Sequence, residues 1–110
     1  MIYSIFFTRN FKATVKALLK KDPKLNVTLY EELKRFNKTQ TISIGSGVYK
    51  LRLRRQNQGK SGSYRLYVYL IEVESTLIPL TMFAKNQKPD ISDKELSGLL
   101  RAAKIEFKLS

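Results

Sequence analysis

Hydrophobic and polar positions repeat along this chain with two different periods, and the switches between them mark its elements. Ile2 to Phe7 is short, apolar and rich in β-branched and aromatic residues, which predicts a buried strand. Asn10 is placed to cap a helix whose buried stripe is Phe11, Val15, Leu18 and Leu19, and Pro23 follows its end. A second helix is predicted from Leu25 to Phe36, with Leu29, Leu33 and Phe36 facing inward. The two are close enough in sequence to form an antiparallel hairpin.

Asn37 to Gly47 is polar and glycine-bearing, which predicts a loop with a brief extended piece at Thr41 to Ile44. Three strands are then predicted: Val48 to Arg55, Tyr64 to Val73, and Leu77 to Lys85. Gln56 to Ser63 and Glu74 to Thr76 are the connections. Pro79 has no N–H for a ladder, so it argues for a strand start or edge at that point. After a loop from Asn86 to Ile91, Ser92-Asp93-Lys94-Glu95 fits a capping box. The helix it opens buries Leu96, Leu99, Leu100 and Ala103, with Gly98 inside it costing roughly 1 kcal/mol relative to Ala. The predicted order is β-α-α-β-β-β-α, in one domain spanning residues 1–110.

Strand parity changes the picture from fold to chemistry. Tyr49-Lys50-Leu51-Arg52-Leu53-Arg54 alternates between apolar or aromatic and basic side chains, so a strand sends Lys50, Arg52 and Arg54 to one face. In the next strand Leu66, Val68 and Leu70 share a face, leaving Arg65, Tyr67 and Tyr69 opposite. In the third, Ile78, Leu80, Met82 and Ala84 share a face, leaving Thr81, Phe83 and Lys85. With the apolar faces turned to the helices, Lys50, Arg52, Arg54, Arg65, Tyr67, Tyr69, Phe83 and Lys85 gather on an open face. Tyr67 and Tyr69 can equally pack under the C-terminal helix.

Charge sharpens this reading. From Leu33 to Ile71 there is no Asp or Glu, yet nine Lys and Arg. A row of cations without acidic partners suits a polyanion, and interleaved aromatic rings suit splayed bases, which favours single-stranded RNA. The competing reading is a solvated face whose basic residues discourage aggregation, although such a face would ordinarily mix in acids. Over the whole chain 21 Lys and Arg against 9 Asp and Glu leave +12, so phosphate-bearing partners fit. The 43% hydrophobic content argues against wholesale disorder. No apolar run approaches membrane-spanning length, and the first residues lack a secretory pattern, so a cytoplasmic protein without a membrane partner is expected. There is no Cys and no His, which removes disulfides, cysteine-ligated metal and the commonest general base, and no cofactor is expected.

Four motifs in order, Gly45-Ser46-Gly47-Val48-Tyr49-Lys50-Leu51-Arg52, Gly59-Lys60-Ser61-Gly62-Ser63-Tyr64-Arg65, Phe83-Ala84-Lys85-Asn86 and Asp90-Ile91-Ser92, resemble the RelE/HigB toxins of type II toxin–antitoxin systems. The resemblance runs from about Ile44 to the C-terminus. It implies an α+β fold, mainly an antiparallel sheet with an N-terminal helical hairpin and a C-terminal helix. It also implies a toxin that cleaves mRNA on the ribosome by attack of a ribose 2′-OH on the adjacent phosphate. The implied partners are mRNA, the ribosome and a cognate antitoxin of helix-turn-helix type. Lys50 and Arg52 match the family's basic pair on the first central strand, Arg65 matches the arginine after the glycine-bearing turn, and Lys60 and Lys85 match basic residues of this branch's motifs. Ser63 departs from the paired glycines, Asn86 stands where an arginine is common, and no tyrosine follows Tyr69.

Chemistry without histidine still has a route, because fixed cations stabilise the charge that gathers on a five-coordinate phosphorus. Arg65 is the principal candidate, with Arg52 and Lys85 assisting. Lys50 or Lys85, each crowded by other cations, is a candidate general base or acid, and Tyr67 or Tyr69 a further proton-transfer candidate. Arg54, Lys60, Tyr67, Tyr69 and Phe83 are candidate RNA contacts. The first alternative is a non-catalytic RNA- or ribosome-binding module of the same fold. A DNA-binding repressor is a third reading, disfavoured because no helix-turn-helix pattern is present. Gly59-Lys60-Ser61 is not the end of a P-loop, since Arg54 occupies the position of the required upstream glycine.

Overall fold

In the computed structural model, residues 3–54 and 63–110 are described. Elements follow in the order β1 (Ser4–Ile5), α1 (Arg9–Leu19), α2 (Leu25–Lys34), β2 (Ile42–Gly45), β3 (Val48–Arg54), β4 (Ser63–Ile71), β5 (Thr76–Ala84) and α3 (Asp93–Leu109). The strands form one sheet in the order β1-β5-β4-β3-β2, in which β1 runs parallel to β5 and the other pairs are antiparallel. This is the expected α+β architecture with a helical hairpin and a C-terminal helix. The extended piece expected at Thr41 to Ile44 is a full edge strand, β2. The connection at Gln56 to Gly62, with Lys60, lies outside the described residues.

Helix α1 starts earlier than its apolar stripe suggests. Thr8, still extended as the chain leaves β1, accepts a hydrogen bond from the Phe11 N–H on its hydroxyl at 3.1 Å. Asn10 therefore sits inside the first turn, and Thr8 is the cap. At α3 the expected cap holds: the Ser92 hydroxyl accepts from the Glu95 N–H at 3.1 Å. The β2–β3 hairpin closes on Ser46 and Gly47, both at positive φ (57° and 78°), as two-residue loops between twisted strands require. A Cβ at Gly47 would stand 3.1 Å from the Tyr69 ring and 3.3 Å from the Leu70 carbonyl oxygen, so a side chain there would need its neighbours to shift slightly and would strain the positive φ as well.

Two apolar clusters hold the sheet. On one face the hairpin residues Phe11, Leu25, Leu29 and Leu33 pack with Leu53, Leu66, Val68, Leu77 and Met82. On the other, Val48, Tyr67, Ile78 and Leu80 meet Ala103 of α3, with Leu96, Leu99, Leu100 and Phe107 at the margin. The second cluster corrects the parity expected for β5. Tyr67 pairs with Thr81 but Val68 pairs with Pro79, so Leu80 is an extra residue and β5 bulges there. Ile78 and Leu80 consequently face α3, while Met82 and Ala84 face the hairpin. Pro79 lies inside β5, not at its start. The bulge, and the end of β1 pairing at Leu77, leave its missing N–H without a ladder partner to lose.

Candidate nucleic-acid interface

Strand β3 presents its cations because the residues between them are anchored: Leu53 is fully buried and Tyr49 packs edge-on to Phe36 at a ring separation of 5.3 Å. Across the sheet, Lys50 stands opposite Tyr67, Arg52 opposite Arg65, and Arg54 opposite Ser63. Arg65 in turn stands opposite Phe83, and Tyr67 opposite Thr81. Directly opposed side chains in antiparallel strands are close neighbours, and like charges there destabilise the sheet. Arg52 and Arg65 are such a pair. Among the described residues, no carboxylate makes an ion pair with Lys50 or Arg52.

The end of this face is completed by Lys85, which is exposed and whose N–H donates to the Ser63 carbonyl at 3.1 Å, beside the Arg54–Ser63 pair. Arg52 and Arg54 are exposed and Lys50 is half-buried. The Arg65 side chain, 15% exposed, is drawn inward, with Nη1 4.0 Å from an Asp90 carboxylate oxygen. The structure thus brings Lys50, Arg52, Arg54, Arg65 and Lys85 to one side and one end of the sheet.

The aromatic residues are placed differently. Tyr67 is 1% exposed, sealed beneath α3 and its preceding loop, so its ring is not free to receive a base. Its hydroxyl donates to Asp90. Burial first, and that hydrogen bond second, push the Tyr67 phenol up to about 12 against the opposing pull of the Arg65 guanidinium. Tyr69 is half-buried with the Lys104 ammonium 5.4 Å from its ring centre. Phe83, also half-buried, stacks on Tyr67 at 6.1 Å and has Lys88 at 5.3 Å from its ring centre. The open platform is therefore smaller than parity alone suggests, because α3 roofs the part formed by Val48, Tyr67, Tyr69, Ile78 and Leu80.

Two residues outside the sequence-derived set join the site. Lys88 lies over Phe83 and is tied to Glu95 of α3 at 2.5 Å. Asp90 folds back from the β5–α3 connection onto β4, where the Tyr67 hydrogen bond first, then the Ile91 N–H, Lys50 and Arg65 lower its carboxyl below the usual value. The Asp90-Ile91-Ser92 segment is visible as a motif, but nothing in its spacing says that the carboxylate turns toward the cations. Among the described residues, no group of three or more His, Cys, Asp or Glu gathers as a metal site, and no helix is long and apolar enough to cross a membrane.

Comparison with known proteins agrees with this architecture. Among solved structures, the Escherichia coli toxin RelE, a double arginine-to-alanine mutant in the free state, is similar with a TM-score of 0.51 and 18% identity, over 81% of this chain and 90% of that one. At that identity the likeness is one of fold. No curated protein matches the chain. The family model described as RelE toxin of the RelE/RelB toxin–antitoxin system matches residues 3–110, and the chain belongs to that family.

Proposed function

We propose that this toxin is a ribosome-dependent endoribonuclease, cutting mRNA by attack of a ribose 2′-OH on the adjacent phosphate. The observation that carries the proposal is the Arg52–Arg65 pair, set face to face on neighbouring strands, with Lys50 two residues along on the same face and, among the described residues, no ion pair to Arg52 or Lys50. A sheet tolerates such repulsion more readily when an anion is to lie between the charges. Arg65, nearly enclosed and held by packing, is the group to grip a phosphate through two nitrogens, and Arg52 and Lys85 add charge from the exposed side. Because these cations sit on strands whose alternate residues are buried, they need little reorganisation as negative charge grows on the phosphate oxygens.

Lys50 is the candidate for proton transfer at the 2′-OH or the leaving 5′-oxygen, with the ribosome orienting the message. Arg54 extends the path for the RNA backbone, Lys60 is a further candidate RNA contact from the motif alone, and Phe83 offers its remaining exposed edge to a base. A cognate antitoxin, of helix-turn-helix type, silences the toxin by association, and the reaction takes place in the cytoplasm.

The test compares wild type with Arg65→Ala in a reconstituted translation system while mRNA ends are mapped. Wild type is expected to cut only messages loaded on ribosomes, and Arg65→Ala to cut about 10²- to 10³-fold more slowly. Salt-sensitive RNA binding by folded wild type without any new mRNA ends would sink the nuclease and leave a non-catalytic binding module.

A further inference from the structure

Asp90 brings an anion to the very cations assigned to the phosphate. Its carboxylate accepts the Tyr67 hydroxyl and its own neighbour's Ile91 N–H, the latter at 2.8 Å, and stands 4.0 Å from Arg65 Nη1. That separation is too long for a hydrogen bond, so Asp90 neutralises the guanidinium through space without using its donors. Tyr67 shares a cross-strand pair with Lys50, and the Arg52–Arg65 pair is the next one on the same face, two residues along each strand. A carboxylate fixed by Tyr67 therefore lies beside both rungs. Its side chain is 57% exposed and sits on the connection between β5 and α3, while Tyr67 is rooted in the apolar cluster.

We propose that Asp90 is a resident counter-charge that competes with the RNA phosphate for Lys50 and Arg65. A carboxylate and a phosphodiester each present two oxygens sharing one negative charge, so bringing the second beside the first is electrostatically opposed. Free toxin thus holds loose RNA weakly, and tight engagement is reserved for a message delivered in place. The idea rests on the reading of Arg65 as a phosphate-binding residue.

The test measures binding of a short single-stranded RNA, its 2′-hydroxyls methylated to prevent cleavage, by fluorescence anisotropy at low and high salt. Asp90→Asn keeps an oxygen to accept the Tyr67 hydrogen bond but removes the charge, and is expected to bind about three- to tenfold tighter at low salt, the gain shrinking as salt screens it. Asp90→Ser, neutral and shorter, must move the same way, which guards against one variant folding poorly. Glu74→Gln, an exposed change of equal net charge in the β4–β5 turn, is expected to leave affinity within about twofold. Arg65→Ala is expected to weaken binding and to abolish most of the gain from Asp90→Asn. If Arg65→Ala weakens binding but both Asp90 variants bind no tighter than wild type, Asp90 is scaffolding and the inference is overturned. If Arg65→Ala leaves affinity untouched, the phosphate-site reading fails first, and this inference with it.

Discussion

The two faces of the sheet are built from the same strands and do opposite things. Toward the hairpin, Leu53, Leu66, Val68 and Leu77 are almost completely buried against Phe11, Leu25, Leu29 and Leu33, in a continuous apolar cluster. Toward α3 the apolar cluster is smaller and stops partway, and beyond it the same face turns into a field of arginine and lysine. The difference teaches that the hairpin side supplies the rigidity and the α3 side uses it. Cations on an isolated ribbon would splay apart, whereas these alternate with anchored leucines and keep their positions.

The contrast can be broken most severely from the hairpin side. Phe11→Ala removes a ring with no exposure and is expected to cost about 3–5 kcal/mol in denaturant unfolding. Leu99→Ala, on the half-buried flank of α3, is expected to cost roughly 1–2 kcal/mol, and the reverse ranking would show that α3 is the main source of stability.

Tyr67→Phe probes the boundary between the regions. Losing the hydrogen bond to Asp90 is expected to cost about 1 kcal/mol near neutral pH. The Tyr67 phenol is raised on folding, so its contribution is fully present below pH 10.0 and lost as pH climbs toward about 12. Unfolding followed across that window should show a steeper alkaline decline in wild type than in Tyr67→Phe. Equal declines would mean the phenol is not shielded. Lys50→Ala gives the smallest change in stability, expected within about 0.5 kcal/mol, but should flatten the log–log salt dependence of single-stranded RNA binding by about 0.7.

Much of this arrangement is legible in the residues themselves. The alternation from Tyr49 to Arg54 gives β3 its faces, whereas the Arg52–Arg65 register comes only from the pairing itself, because a shift by two residues keeps every face. The Ser92 cap is equally local. What escapes is relational. Thr8 rather than Asn10 caps α1 because of how the chain leaves β1, and the bulge at Leu80 exists only in the pairing of β5 with β4. Parity read strand by strand therefore misplaces Ile78 and Leu80. The burial of Tyr67 and the approach of Asp90 depend on where α3 lands, which a hydrophobic stripe alone does not fix.

Gly47 sits in the turn before β3, at the opposite end of that strand from Arg52 and Arg54. Its bare α-carbon lets the hairpin nestle on Tyr69 and Leu70, and its carbonyl receives the Leu70 N–H at 2.9 Å. That hydrogen bond closes the β3–β4 ladder just beyond the Val48–Tyr69 pair. A methyl group there would crowd the Tyr69 ring just where the ladder closes, and the register it borders matters, since slippage by a single residue would turn Lys50, Arg52 and Arg54 into the oily interior.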